Sequence, residues 1–153
     1  MTVTCSMNSI NESALLLPTK ANMALDDDNF VVLMGYTVDS LTTEYHISVG
    51  VEYQVYGILF HKNQIRYLVQ DDDARPIFCP DQLFRVQQAN VSWDWEIESF
   101  VVDDAPLALV GYPAMEGGYD ELIKLAFREN AAVKRFLKYK DYLQTYGDVM
   151  GRK

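Results

Sequence analysis

The chain has 153 residues, 49% of them hydrophobic and 23% charged, the size and balance of one globular domain with its own core. Acids outnumber bases 22 to 13, giving a formal charge of −9 and a pI near 4.5; that argues against nucleic acid or an anionic membrane as ligand, since phosphate recognition needs positive surface. No apolar run approaches the roughly 20 residues of a membrane span, and Ala14 to Leu17 is too short for a signal-peptide core, with the first basic residue, Lys20, after it rather than before.

In chain order, Asn8 to Leu17 reads as a short helix ending before Pro18, and Asp26-Asp27-Asp28-Asn29 as a polar loop. Phe30 to Met34 and Glu44 to Val49 are strand candidates, separated by Gly35 to Thr43. Val51 to Phe60 alternates with period two, polar on one parity at first and apolar on both by its end. Such a strand starts half exposed and finishes buried on both faces. His61-Lys62-Asn63 then turns the chain into Gln64 to Gln70, where Ile65, Tyr67 and Val69 share a side, so the pair reads as a β-hairpin.

Asp71-Asp72-Asp73-Ala74-Arg75-Pro76 breaks the pattern. Ile77-Phe78-Cys79 resumes a short strand that Pro80 ends, and Asp81 is placed to cap a single helical turn through Leu83 and Phe84. Val91 to Val102 alternates again, with Trp93, Trp95 and Ile97 on one side and Asp94, Glu96 and Glu98 on the other. After Gly117-Gly118 the apolar period becomes 3.6, with Tyr119, Leu122, Ile123, Ala126 and Phe127 on one face. One unbroken helix would carry Glu129 and Asn130 into that stripe, so two helices are expected, Tyr119 to Glu129 and Ala131 to Tyr146. Asn130 lies at or near the joint, and Gly147 to Lys153 is a frayed tail.

The expected fold is therefore a single α+β domain over residues 1–153: an N-terminal segment (1–29), a β-rich body (30–104) and a helical C-terminal part (119–146). The body is a small curved antiparallel β-sheet or SH3-like barrel, followed by two C-terminal α-helices. Charge divides at the same boundary. Residues up to Gly118 hold 17 acids and 5 bases, and the remainder 5 acids and 8 bases. Lys124, Arg128, Arg135 and Lys138 would form a modest basic stripe, better suited to solvent or to pairing with the acidic body than to nucleic acid.

Chemistry-bearing motifs are scarce. There is no phosphate loop, nucleophile elbow, paired-histidine zinc helix or Cys-x-x-Cys. His46 and His61 have no carboxylate partner in sequence and read as surface or edge residues. Cys5 and Cys79 cannot build a disulfide framework and fit a reducing, cytoplasmic setting. Cys79, between Phe78 and Pro80, reads as a buried inert thiol. The runs Asp26 to Asp28 and Asp71 to Asp73 lack the spaced acids and turn glycine of a calcium loop, so they read as solvated acidic loops and no metal or cofactor is expected. Asp94, Glu96 and Glu98 form an acidic ridge, backed by an inner face of Trp and Ile, that could meet a basic partner with aromatic anchors beside it.

The stretch Val49-Gly50-Val51-Glu52-Tyr53-Gln54-Val55-Tyr56-Gly57-Ile58, continuing to Tyr67-Leu68-Val69 and to Pro76-Ile77-Phe78-Cys79-Pro80-Asp81-Gln82-Leu83-Phe84, resembles a pattern in small uncharacterised bacterial proteins. Some of these look like immunity proteins of contact-dependent or polymorphic toxin systems. The resemblance spans Val49 to Trp95, about a third of the chain, and its motifs are structural, with no catalytic residues to carry over. It implies a β-rich fold and, as the most concrete function, a non-enzymatic inhibitor that covers a basic toxin. The contacting residues would be Asp71, Asp72, Asp73, Asp94, Glu96 and Glu98. Two other classes remain: a small hydrolase-like enzyme with a carboxylate/His site, which requires His46 or His61 within reach of an acid in a pocket, and a structural oligomerisation module, which requires a large apolar face and a homodimer.

Overall fold

The computed structural model describes residues 1–11, 36–37, 42–61, 64–91, 94–102, 104–111 and 118–150. Within them the fold is α+β. Strands β1 (Thr2–Cys5), β5 (Glu52–Gln54) and β9 (Phe84–Gln88) form one sheet in the order β5-β1-β9. Strands β6 (Gly57–His61), β7 (Gln64–Gln70), β8 (Pro76–Pro80), β10 (Glu96–Val102) and β11 (Ala105–Gly111) form the largest sheet, ordered β10-β11-β6-β7-β8. A small third sheet joins β2 (Ser9–Asn11), β4 (Thr42–Glu44) and β3 (Tyr36–Thr37) in the order β2-β4-β3. Helices α1 (Gly118–Ala126) and α2 (Asn130–Met150) follow. Every strand pair is antiparallel, and the sheets do not close into a barrel.

Period two makes the five-stranded sheet two-sided. One parity places Phe100, Leu107, Leu109, Leu59, Leu68 and Phe78 on the face that α1 and α2 cover with Leu122, Leu125, Ala132, Phe136 and Tyr139. The other parity of β7 and β8, with Tyr67, Val69, Ile77 and Cys79, packs against Val3, Cys5, Tyr53 and Phe84 of the β5-β1-β9 sheet. The hydrophobic core thus lies in two layers, one on each side of β7 and β8, which explains why both faces of these strands are apolar.

Several sequence expectations shift at element boundaries. Val51 to Phe60 is not one strand: it breaks at Val55 and Tyr56, where β5 leaves one sheet and β6 enters another. Both corner residues are buried, and their N–H groups donate to Met1 O and Leu68 O. The burial on both parities that marked the end of a strand belongs to this corner. Within the expected N-terminal helix Ser9–Asn11 are extended instead, as β2 pairing to β4; residues 12–17 of that helix, Asp26 to Asn29 and Phe30 to Met34 lie outside the described residues. Residues 45–49, read as strand, run irregularly after β4. A turn there is closed by Gly50 at φ +85, a left-handed backbone that favours glycine.

The helical joint falls at Phe127 to Glu129, next to Asn130 as expected. Arg128 takes a left-handed conformation (φ +56), and its N–H donates to Leu125 O while the Glu129 N–H donates to Lys124 O, both at 2.9 Å. These two bonds close α1 with a Schellman-type ending, so Asn130 opens α2 rather than separating the helices. The second helix also runs to Met150, through residues expected to fray. Asp81 opens a 3-10 turn, Asp81–Leu83, without capping it; Pro80 occupies the cap position and makes no side-chain bond.

Tyr56 sits in the helix-side core, its ring edge-on to Phe136 with centroids 5.0 Å apart. Burial, with the Asp141 charge adding to it, pushes its phenol up to about 12 from an ordinary 10. A raised folded value leaves this contribution to stability intact below pH 10. It is lost as pH climbs from 10 towards 12, because the unfolded chain gives up the proton first. Urea melts across that window should lose about 2–3 kcal/mol through this residue, and Tyr56→Phe should flatten the alkaline slope by a similar amount.

Candidate functional site

The turn between β7 and β8 gathers most of the polar side chains that the sequence left unassigned. Asp71 is buried, its carboxylate fully covered. Its Oδ1 accepts the backbone N–H groups of Asp73 at 3.0 Å and Arg75 at 2.8 Å, and its Oδ2 accepts Arg75 Nε at 3.2 Å. Asp71 also ties the turn through its backbone, its N–H donating to Arg75 O and its carbonyl accepting from Ala74. The local pattern explains this: an aspartate followed by a short polar run folds back on its own amides.

The neighbouring aspartates reach outward to another part of the chain. Asp72 accepts hydrogen bonds from Ser48 Oγ at 2.7 Å and from the Tyr53 hydroxyl at 2.5 Å, while its own N–H donates to His46 O at 3.0 Å. Asp73 pairs with Arg75 and lies 2.8 Å from His46 Nδ1. Burial and the Asp72 hydrogen bond hold the Tyr53 phenol well above its usual range. The result is a network of His46, Ser48, Tyr53, Asp71, Asp72, Asp73 and Arg75 that locks residues 46–53 to the β7–β8 turn.

His46, Asp71 and Asp73 each bring a ligand-type atom within 4.8 Å of the others. Arg75 already contacts both carboxylates, so a cation there would compete with a guanidinium in place. The arrangement is that of an ion-pair network. Nor do Ser48, His46 and Asp73 make a nucleophile relay, because Ser48 donates to Asp72 rather than to His46.

The other predicted residues lie on and beside β10. Asp94, half-buried, accepts a hydrogen bond from the Tyr139 hydroxyl of α2 at 3.1 Å. Glu96 is exposed and Glu98 half-buried. Their face of β10 is the one that carries Phe100 toward the helices, whereas Ile97 on the opposite face is 74% exposed. The expected inner face of Trp and Ile is therefore correct for Trp95, which packs against the second core layer, and reversed for Ile97. The supporting sheet of that layer lies under β7 and β8 and does not extend beneath β10. Trp93 lies outside the described residues.

Register relates the two acidic groups. Glu96 pairs with Gly111, Gly111 with Gly57, and Gly57 with Leu68. Glu96 and the 71–75 turn therefore sit at the same end of the sheet, three strands apart and about four residues along β7, or about 20 Å at the usual strand spacing and rise. Helix α2 crosses this end, with Tyr139 on Asp94 and Lys140 Nζ 2.7 Å from Gln70 Oε1.

Of the basic stripe, Lys124 pairs with Asp120 and Arg135 clamps Glu121 through two bonds of 2.6 and 2.7 Å. Arg135, Lys138, Tyr139 and Tyr142 line an open groove of about 380 Å³ on α2. Cys79 is fully buried, and burial pushes its thiol far up; burial likewise raises that of Cys5. Neither cysteine is an activated nucleophile. His61, expected at the surface, is buried on the helix side of β6, near Gln64 and Arg66. That face is covered by α1 and α2, a fact of packing rather than of local pattern. Among the described residues no helix is long and apolar enough to cross a membrane.

The sequence pointed to the three aspartates but missed His46, Ser48, Tyr53 and Arg75. Arg75 had a local signal, lying four residues after Asp71. The other three are brought in by the packing of segments more than 15 residues apart in the chain, and no motif announces them. Comparison with protein-family models, with curated proteins and with solved structures finds no match for this chain.

Proposed function

We propose that this chain is a non-enzymatic protein-binding module of the immunity type, one whose acidic end covers a basic partner such as a toxin in the cytoplasm. The observation behind this reading is that Glu96 and the exposed Asp72 and Asp73 stand at one end of the same sheet. Their separation of about 20 Å fits inside one standard interface of about 800 Å² per partner. The residues up to Gly118, which carry them, hold 17 acids against 5 bases, which would speed association with a basic surface and disfavour acidic competitors. Within that end, Asp71 and Asp94 act as supports, holding the turn and α2, while Glu96, Glu98, Asp72 and Asp73 face the partner.

The test is a pull-down with the tagged chain from host lysate at low and moderate salt, followed by titration with the purified partner. A single basic protein is expected, with binding weakened about 10- to 100-fold by Glu96→Lys with Glu98→Lys. Glu44→Lys, exposed on β4 of the small sheet, should leave it unchanged. If nothing basic is retained at low salt, or if the double lysine variant binds as the parent does, the reading fails.

A hydrolase-like enzyme is the second reading, and one observation favours it: His46 lies 2.8 Å from Asp73. Both side chains are about half exposed, so the pair sits in an open position rather than a water-excluding one. Turnover of ester or phosphoester substrates that disappears in His46→Gln would support this reading over the first.

A further inference from the structure

Strand β10 borders the five-stranded sheet, and among the described residues it pairs only with β11. The turn from Val102 to Ala105 has two residues, so that closing pair is a hydrogen-bonded one. Even-numbered residues of β10 then direct their backbone groups to β11, and Ile97, Ser99 and Val101 direct theirs to the edge that no other described strand pairs. The hairpin at the other side of β6 gives the same parity independently, since His61 and Gln64 also close a two-residue turn. Carried across β6 and β11, that parity reaches β10 unchanged.

The same odd-numbered residues carry the two most exposed large hydrophobic side chains among the described residues, Ile97 at 74% and Val101 at 78%. Beside them in register lie the half-buried Val110 and the exposed Pro106 of β11. Open backbone groups and an apolar row on one edge strand make a template for strand addition.

We propose that β10 is the pairing edge of a homodimer, in which two copies join antiparallel about a two-fold axis at Ser99 and the five-stranded sheets become one. The charges select this arrangement. Centring the axis on Glu98 would set that carboxylate against its own copy, and centring it on Ile97 would oppose Glu96 to Glu98. Directly opposed like charges of this kind destabilise a strand pair. Centred on Ser99, Glu96 stands opposite Val102 and Glu98 opposite Phe100, while Ile97 stands opposite Val101. That register also pairs the whole of Glu96–Val102, so the backbone groups of Ile97, Ser99 and Val101 all find partners. The apolar row continues from Val110 and Ile97 across the axis to Val101 and Pro106 of the second copy. Glu96 and Glu98 stay on the opposite face, so this inference does not rest on the acidic-partner reading.

Sedimentation equilibrium of the full chain from about 1 µM to about 1 mM tests it. The expected result is a reversible dimer of twice 17.5 kDa. Val101→Lys should weaken it at least about tenfold. Ser99→Pro removes an N–H that β11 does not use and should leave a monomer with unchanged far-ultraviolet circular dichroism. Ser99→Cys should cross-link to its own copy with a short bis-maleimide, whereas Arg85→Cys on β9 should not. A monomer throughout the range overturns the proposal. So does a dimer that Val101→Lys leaves intact, or one without the Ser99→Cys cross-link. Since these substitutions lie on the edge and on the face away from Glu96 and Glu98, loss of the dimer and loss of the basic partner are separate outcomes.

Discussion

Replacing Phe136 by alanine is expected to destabilise the protein by about 3–5 kcal/mol, the range for a large aromatic removed from a packed interior. Phe136 is fully buried on α2 and meets the Tyr56 ring edge-on at 5.0 Å, where the β5–β6 corner rises beneath the helix. Its cluster also holds Leu68 and Phe78 of the sheet and Leu125 of α1, so the truncation opens a void bordered by three elements. Domains of this size hold about 5–15 kcal/mol in total, and the variant would be close to unfolding at 37 °C. Urea denaturation measures the loss, with Tyr142→Ala, 41% exposed on the same helix, expected to cost under about 1 kcal/mol. A loss below about 1 kcal/mol for Phe136→Ala would mean that α2 is not docked on the sheet as described.

The second large effect is expected at Asp71. Its covered carboxylate satisfies two backbone N–H groups and the Arg75 guanidinium, and truncation to alanine leaves all three without that acceptor. The cost should be about 2–4 kcal/mol, since a buried donor deprived of its partner loses its solvation as well as its bond. Asp71→Asn keeps one acceptor and should lose about half as much. Asp73→Asn, at a half-exposed position, should cost under about 1 kcal/mol. Thermal melts of the three variants rank them. Equal losses at Asp71 and Asp73 would show that burial is not what distinguishes neighbouring aspartates in this turn.

That contrast shows how far local pattern reaches. Three consecutive aspartates look identical in sequence, and all three read as solvated. The fold separates them: Asp71 turns inward to bind its own loop, Asp72 holds Ser48 and Tyr53, and Asp73 meets Arg75 and His46. Alternation in Val91 to Val102 placed Trp95 and Ile97 on one side correctly, yet only Trp95 is covered. Periodicity reports which residues share a face; it carries no information on whether another layer lies over that face.

The legible part of the fold is local. Period two in Gln64 to Gln70, a hairpin turn at His61 to Asn63 (one residue shorter in the structure, where His61 pairs with Gln64), the break at Asp71 to Pro76 and the change to period 3.6 after Gly118 all identify the β-rich body and its two closing helices. These signals depend on neighbours in the chain and on side-chain spacing, which the residue order carries completely. Long-range pairing carries the rest. The corner at Val55 and Tyr56, the left-handed joint at Arg128, the burial of His61 and the meeting of His46 with Asp73 each depend on segments distant in sequence or on closure geometry. Burial is a property of what arrives from elsewhere. The identity of a residue sets what burial would cost or contribute, and the packing of two sheets and two helices determines which residues undergo it.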